Sequence, residues 1–258
     1  MDTVREFWDY RELVFFLAWR DIMIRYRQTV LGAMWAILQP LVTMVVFTFL
    51  FGAVVKIPTD NIPAPIFYFS ALLPWLYFSA TMSSASNSLV ANGDLIKKVY
   101  FPRLVLPASS ALVALVDFAI GAVILALMMA YYHVLSFRLL LWFPLALLLW
   151  SFSFAVGVLF AAINVKYRDV KHAIPFMIQI WMFLTPVIYP TRLIPPQFAW
   201  LIKLNPMTGI IEAFRASAVP GTPFDWGTLG VAAAITAVVL TVGAVYFRHA
   251  EDYFTDIV

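Results

Sequence analysis

Residues 104–132 read LVLPASSALVALVDFAIGAVILALMMAYY, with one charged side chain, Asp117. At about 1.5 Å rise per residue, a helix of this length exceeds the ~30 Å hydrocarbon core of a bilayer and has room to tilt. A soluble surface helix is apolar along one stripe only, whereas this run is apolar all round. It therefore reads as a membrane span. Five further apolar runs, 32–55, 66–86, 139–163, 173–189 and 228–247, flank it on both sides. The predicted fold class is an all-α polytopic membrane protein with six transmembrane helices. Composition agrees: 63% of the 258 residues are hydrophobic and 12% charged, against about 25% charged in soluble domains. Once the spans are counted, no large soluble module fits.

The connections carry the polar residues. Residues 1–31 interleave Arg5, Arg11, Arg20, Arg25 and Arg27 with Trp8, Phe15, Phe16 and Trp19. This pattern predicts an interfacial helix, and the four-residue spacing of Asp21 and Arg25 allows one helical ion pair. The acidic residues mixed into this start argue against a signal peptide. Run 66–86 is dense in Ser and Thr, which suits close helix packing or a polar lumen. Run 173–189 is short, with Pro175 near its start and Pro186 near its end. Beyond it, residues 190–219 hold two apolar pieces, 198–204 and 207–219, punctuated by prolines. They read as half-helices that dip into the membrane and return. With both termini cytoplasmic, 12 Lys and Arg fall inside and 5 outside, in keeping with the positive-inside rule.

Catalytic constellations are missing from the sequence. There is no GxxxxGK[ST] run, no HExxH, no GxSxG and no cysteine, so the chain carries no ATPase site of its own and no thiolate chemistry. His133, His172 and His249 fall at predicted membrane edges, so no metal centre is expected. The net charge of +3 sits beside spans and points to lipid, with no nucleic-acid stripe. Asp117 has two readings, a proton site or substrate contact, and a helix–helix hydrogen bond to Ser, Thr or backbone. A proton-coupled carrier ordinarily needs more than one such residue. Tyr68, Trp75, Tyr77, Trp181 and Tyr189 are either packing and belt residues or flat faces along which a sugar polymer slides. The 92–103 loop places Asn92, Asp94, Lys97, Lys98 and Arg103 among Leu95, Ile96, Tyr100 and Phe101. Its charges are topology determinants, and the pattern also fits a short helix with a greasy side for docking a cytoplasmic partner.

Four stretches carry a resemblance. They are NGDLIKKVYFPR at 92–103, RDIMIRYR at 20–27 followed by Leu31, Gly32 and Trp35, NVKYRDV at 164–170, and TPVIY at 185–189 with LNPM at 204–207. Taken in chain order, these stretches resemble the permease subunits of bacterial ABC-2 polysaccharide exporters, those for O antigen above all. The resemblance implies six spans in the type V exporter fold and a homodimer with two copies of a P-loop ATPase subunit, which binds ATP and Mg. It implies a cargo glycan on undecaprenyl diphosphate and a place in the bacterial inner membrane. Residues 92–103 would be the ATPase-coupling loop. Residues 1–31 would be a gate helix at the entrance, where Arg5, Arg11, Arg20, Arg25 and Arg27 meet phosphate or simply anchor topology. Residues 190–219 would be the re-entrant outer helices. Teichoic-acid and capsule permeases, a small-molecule ABC-2 exporter and a proton-coupled carrier are the alternatives.

Overall fold

A computed structural model describes residues 9–27, 32, 34–59, 62–167, 169–219 and 221–251, and all regular structure among them is helical. Helix α1 covers Arg11–Arg27, and α2 covers Met34–Phe47 and runs on as a π-helical segment, Thr48–Val54. Then come α3 (Ala64–Ala91), the short α4 (Gly93–Lys98) and α5 (Val105–Tyr131). A 3₁₀ turn, Phe137–Leu141, leads into α6 (Trp142–Lys166), followed by α7 (Val170–Leu184). Two short helices, α8 (Pro196–Lys203) and α9 (Pro206–Ala218), precede α10 (Trp226–Glu251).

Five helical segments are long and apolar enough to cross a bilayer: Met34–Val54, Ala64–Ala91, Val105–Tyr131, Phe137–Lys166 and Trp226–Glu251. The sixth expected span is shorter. At 15 residues α7 measures about 22 Å, and the apolar run continues to Tyr189 as turns. The break falls at Thr185, next to Pro186, whose ring disfavours helical backbone in the residue before it. Outward faces are apolar, as lipid requires: Val42 and Val46 on α2, Val123 and Leu127 on α5, and Val238 and Val242 on α10 are all exposed.

Helix α3 is the central post, packed against α2, α5, α6, α7 and α9. Small residues let its neighbours come close. Gly157 of α6 lies over Ala85, where an added Cβ would stand 2.7 Å from the Ala85 Cβ. Nearby, the Asn164 amide donates to the Ser86 carbonyl (2.9 Å). Residues 92–103 and 164–167 mark the near end of the bundle, and the opposite end is the far end.

The N-terminal helix lies along α5. Its Val14 and Leu17 share an apolar cluster with Val105 and Leu106 at the near end of α5, while Arg25 reaches Asp117. Contacts thus advance in the same direction along both helices, and α1 climbs beside α5. The start of α2 continues the climb, because Trp35 and Gln39 line one cavity with Asp117 and Tyr77. The Asp21–Arg25 pair does not form; Asp21 takes Arg20 instead (2.8 Å).

At the far end α9 is buried along nearly its whole length between α3, α6 and α10. Asn205 caps it, accepting from the Met207 amide (3.2 Å) and the Trp181 indole (3.0 Å) while its own amide donates to Thr185 Oγ1 (2.8 Å). Arg215 is buried, donates to the Pro186 and Val187 carbonyls (3.0 and 3.2 Å), pairs with Glu212 (2.7 Å) and stacks on Phe67. Its guanidinium supplies the donors that those two carbonyls of the broken backbone lack. The two expected half-helices, 198–204 and 207–219, are thus α8 and α9. Helix α10 opens on Asp225, which accepts from the Thr228 amide (3.0 Å) and hydroxyl (2.6 Å). These two bonds hold the Asp225 carboxyl below its usual range.

Two substitutions probe this packing. An added Cβ at Gly209 would stand 2.6 Å from the Thr228 carbonyl oxygen, so Gly209→Ala is expected to cost about 1–3 kcal/mol and lower the thermal unfolding midpoint in detergent. Gly230→Ala, which faces open space inside α10, is expected to keep or raise the midpoint, because Ala favours helix over Gly. Arg215→Leu strands the Pro186 and Val187 carbonyls and breaks the pair with Glu212, and about 3–5 kcal/mol is expected to be lost, read as faster proteolysis at 185–205.

Candidate functional site: a polar cleft and an exposed loop at the near end

Helix α3 turns one stripe of small polar residues toward α1 and α5. Ser83, Ser84, Asn87 and Ser88 line a cavity of about 670 Å³ together with Arg20, Asp21 and Arg25 of α1 and Ser110 of α5. A second cavity, about 420 Å³, continues toward the far end past Asp117, Tyr77, Ser79 and Gln39. The two share Arg25, Ala80 and Ala114 as wall. They form one polar cleft with the Arg25–Asp117 pair at its waist.

Asp117 is not held by Ser, Thr or backbone. Arg25 Nη1 lies 2.6 Å from its Oδ2, and the Tyr26 hydroxyl donates to Oδ1. Asp117 is twelve residues, about 18 Å, from the start of α5. The 27-residue helix is about 40 Å long, about 10 Å more than the hydrocarbon core. Even with all that excess at the near end, Asp117 sits about 8 Å inside the core region. A carboxylate at that depth requires a partner, and α1 supplies two. Tyr26 carries no signal of its own in the sequence beyond standing next to Arg25.

The remaining arginines of the N-terminal stretch are dispersed. Arg20 lines the cleft, bonded to Asp21 and, at 3.4 Å, to the Asn92 side chain. Arg11 and Arg27 are exposed, and Arg5 lies outside the described residues.

Loop 92–103 divides into anchors and an outward face. Ile96 and Phe101 are buried in the cluster formed with Val14, Leu89, Val105 and Phe247, with Leu95 packed against it. Asp94, Lys97, Lys98, Val99 and Tyr100 are exposed, Tyr100 at 85%. Asp94 at the start of α4 and the two lysines at its end suit the helix dipole. Asn92 closes α3 through its side-chain amide to the Ser88 carbonyl (2.8 Å). Arg103 turns inward, 15% exposed, and donates to the backbone carbonyl of Glu251, while its amide meets the Glu251 carboxylate (3.4 Å). The loop is thereby tied to the end of α10 as well as to α3 and α5. Glu251 stands 148 residues from Arg103, and no local pattern marks it.

The five aromatics proposed as a sliding surface separate. Tyr68, Trp75 and Tyr77 are buried in the protomer, with Tyr77 donating to the Ala111 carbonyl (3.2 Å) while touching the cleft. Trp181 packs edge-on to Phe78 and Phe152 besides bonding Asn205. Tyr189 donates to the Phe183 carbonyl (3.0 Å). Within one protomer Tyr68, Trp75, Tyr77 and Trp181 pack among the helices, and Tyr189 is half-buried on the turn after α7.

Comparison with known proteins agrees with this architecture. The family model for the ABC-2 type transporter matches residues 12–219. An O-antigen export system permease protein of Myxococcus xanthus is 33% identical over 98% of each chain. A Klebsiella pneumoniae protein of the same description is 28% identical over 92% of each. The polysialic acid transport protein of Escherichia coli is 25% identical over 90% of this chain and 91% of its own. With its bundle of apolar helices and a family match over most of its length, this chain belongs to the ABC-2 type transporter family as a membrane permease.

Proposed function

We propose that the chain is the channel-forming subunit of an ATP-driven exporter of lipid-linked polysaccharide, O antigen on undecaprenyl diphosphate, across the bacterial inner membrane. The observation that carries this reading is the match to an O-antigen export permease along 98% of both chains. A homodimer joins two copies of a P-loop ATPase, which hold ATP and Mg; both termini and loop 92–103 face that ATPase in the cytoplasm. The likeness to a polysialic acid transporter supports a second reading, a capsule polymer as cargo on the same machinery.

Force enters at the outward face of loop 92–103. Val99 and Tyr100 offer exposed apolar surface, and Lys97 and Lys98 offer charge to carboxylates on the ATPase. Ile96 and Phe101 anchor the loop to α3 and α5, so displacement of the loop moves both helices and the polar cleft between them. The arginines of α1 suit diphosphate, because a guanidinium matches a phosphate edge with paired donors.

Purification of the tagged permease in mild detergent is expected to retain a P-loop ATPase at one copy per permease; recovery without any ATPase across several detergents contradicts the reading. Tyr100→Ala with Val99→Asp is expected to cut export at least about tenfold while thermal stability stays within about 0.5 kcal/mol, as for surface changes. Ile96→Ala instead costs about 2–5 kcal/mol of stability. Export assays and melting curves on the same preparations separate the two classes.

A further inference from the structure

Helix α1 is fastened at two ends by different physics. Its Val14 and Leu17 are held by apolar packing at the near end, and its last turn is held by the Arg25–Asp117 pair and the Tyr26–Asp117 hydrogen bond. The first attachment is indifferent to ions. The second is an ion pair where two cavities adjoin, with Arg25 lining both and Asp117 one of them, and with the Arg25 side chain 46% and Asp117 24% exposed.

A guanidinium has five N–H donors. Asp117 engages Nη1 of Arg25; Nε and Nη2 have no partner among the described residues. Arg20 faces the same cavity with Asp21 beside it. The cleft therefore holds two arginines, each balanced by one aspartate. An uncompensated arginine at the depth of Asp117 is costly, so the aspartate supplies the counter-charge while no other anion is present.

We propose that Asp117 is the resting counter-ion of Arg25, and that an arriving phosphate headgroup takes its place, releasing the last turn of α1 from α5. This rests on the lipid-linked diphosphate reading given above. A diphosphate brings more charge than one carboxylate and a bidentate edge for the donors that Asp117 leaves unused. The exchange never leaves Arg25 without an anion. Asp117 is left facing a cavity of about 420 Å³, large enough for water, with Gln39, Tyr77 and Ser79 on its wall. Because Gly32 and Trp35 line that cavity, the freed end of α1 shifts the start of the first span, with Val14 and Leu17 as the pivot. The device links cargo arrival to movement of the first span.

The chain contains no cysteine, so labels can be placed on the isolated permease without background before the ATPase is added. Spin labels at Met23→Cys and Ala119→Cys, both exposed positions, report the α1–α5 separation in the permease–ATPase complex in zwitterionic nanodiscs. Farnesyl diphosphate is expected to lengthen the distance and farnesol to leave it unchanged. Asp117→Asn is expected to show the long distance without ligand and to bind radiolabelled farnesyl diphosphate at least as tightly as the parent. Arg25→Gln also shows the long distance but binds at least about tenfold more weakly.

Farnesyl diphosphate bound with an unchanged distance would overturn the exchange while leaving the proposed cargo intact. Loss of binding in Asp117→Asn as large as in Arg25→Gln would overturn the counter-ion role. Complete absence of binding to the parent would instead defeat the lipid-diphosphate cargo, and this inference with it. An equal response to inorganic diphosphate would overturn the lipid-borne source and assign the exchange to free phosphate groups. If Asp117→Asn fails to assemble, the parent distance and Arg25→Gln decide the matter.

Discussion

Hydrocarbon offers no hydrogen bonds, so polar groups at membrane depth must be satisfied from within the protein. The arrangement of this chain follows from that constraint. Helices satisfy their own backbones, and the interest lies where the helix stops. At 185–189 the backbone leaves α7 and turns back, and the Pro186 and Val187 carbonyls would be stranded there. Arg215 of α9 supplies both donors, and Asn205 ties the start of α9 to Thr185 and Trp181. Helix α9, with the short α8 before it, is thus the partner that the break requires. At the near end, Asn164 bonds the Ser86 carbonyl across the α3–α6 contact.

The same constraint gives meaning to Asp117. A charge that deep needs an opposite charge, and the one provided belongs to α1, a helix outside the candidate spans. The pairing draws α1 upright along α5 and encloses the polar cleft. At the base of that cleft Asn92 meets Arg20, and a few residues on, Ile96 and Phe101 root the exposed loop in the cluster holding α1, α5 and α10. Movement of the loop is therefore felt by α1 through shared packing. The loop, α1, α5 and α10 share one apolar cluster.

Much of this was legible from the residues. Six apolar runs, the short fifth one and the proline-broken stretch after it follow from chain length against bilayer thickness and from backbone rules, which are local. The four family-like stretches were visible as strings, yet their purposes were not. Residues 185–189 and 204–207 fit together because Asn205 reaches Thr185, and 164–170 opens on a residue whose task is a contact 78 positions away. Composition alone also made Tyr68, Trp75 and Tyr77 eligible for a sugar path, although folding buries all three.

The sequence by itself determined the number and order of apolar segments, the places where helices must break, and the basic loops at one end, since hydropathy, proline sterics and charge act residue by residue. Tertiary structure alone decided that Asp117 pairs with Arg25 and Tyr26, that Arg103 meets Glu251, and that α1 stands beside α5. Each of these joins groups far apart in the chain. An ion pair depends on where two helices cross, and that crossing is set by the packing of the whole bundle.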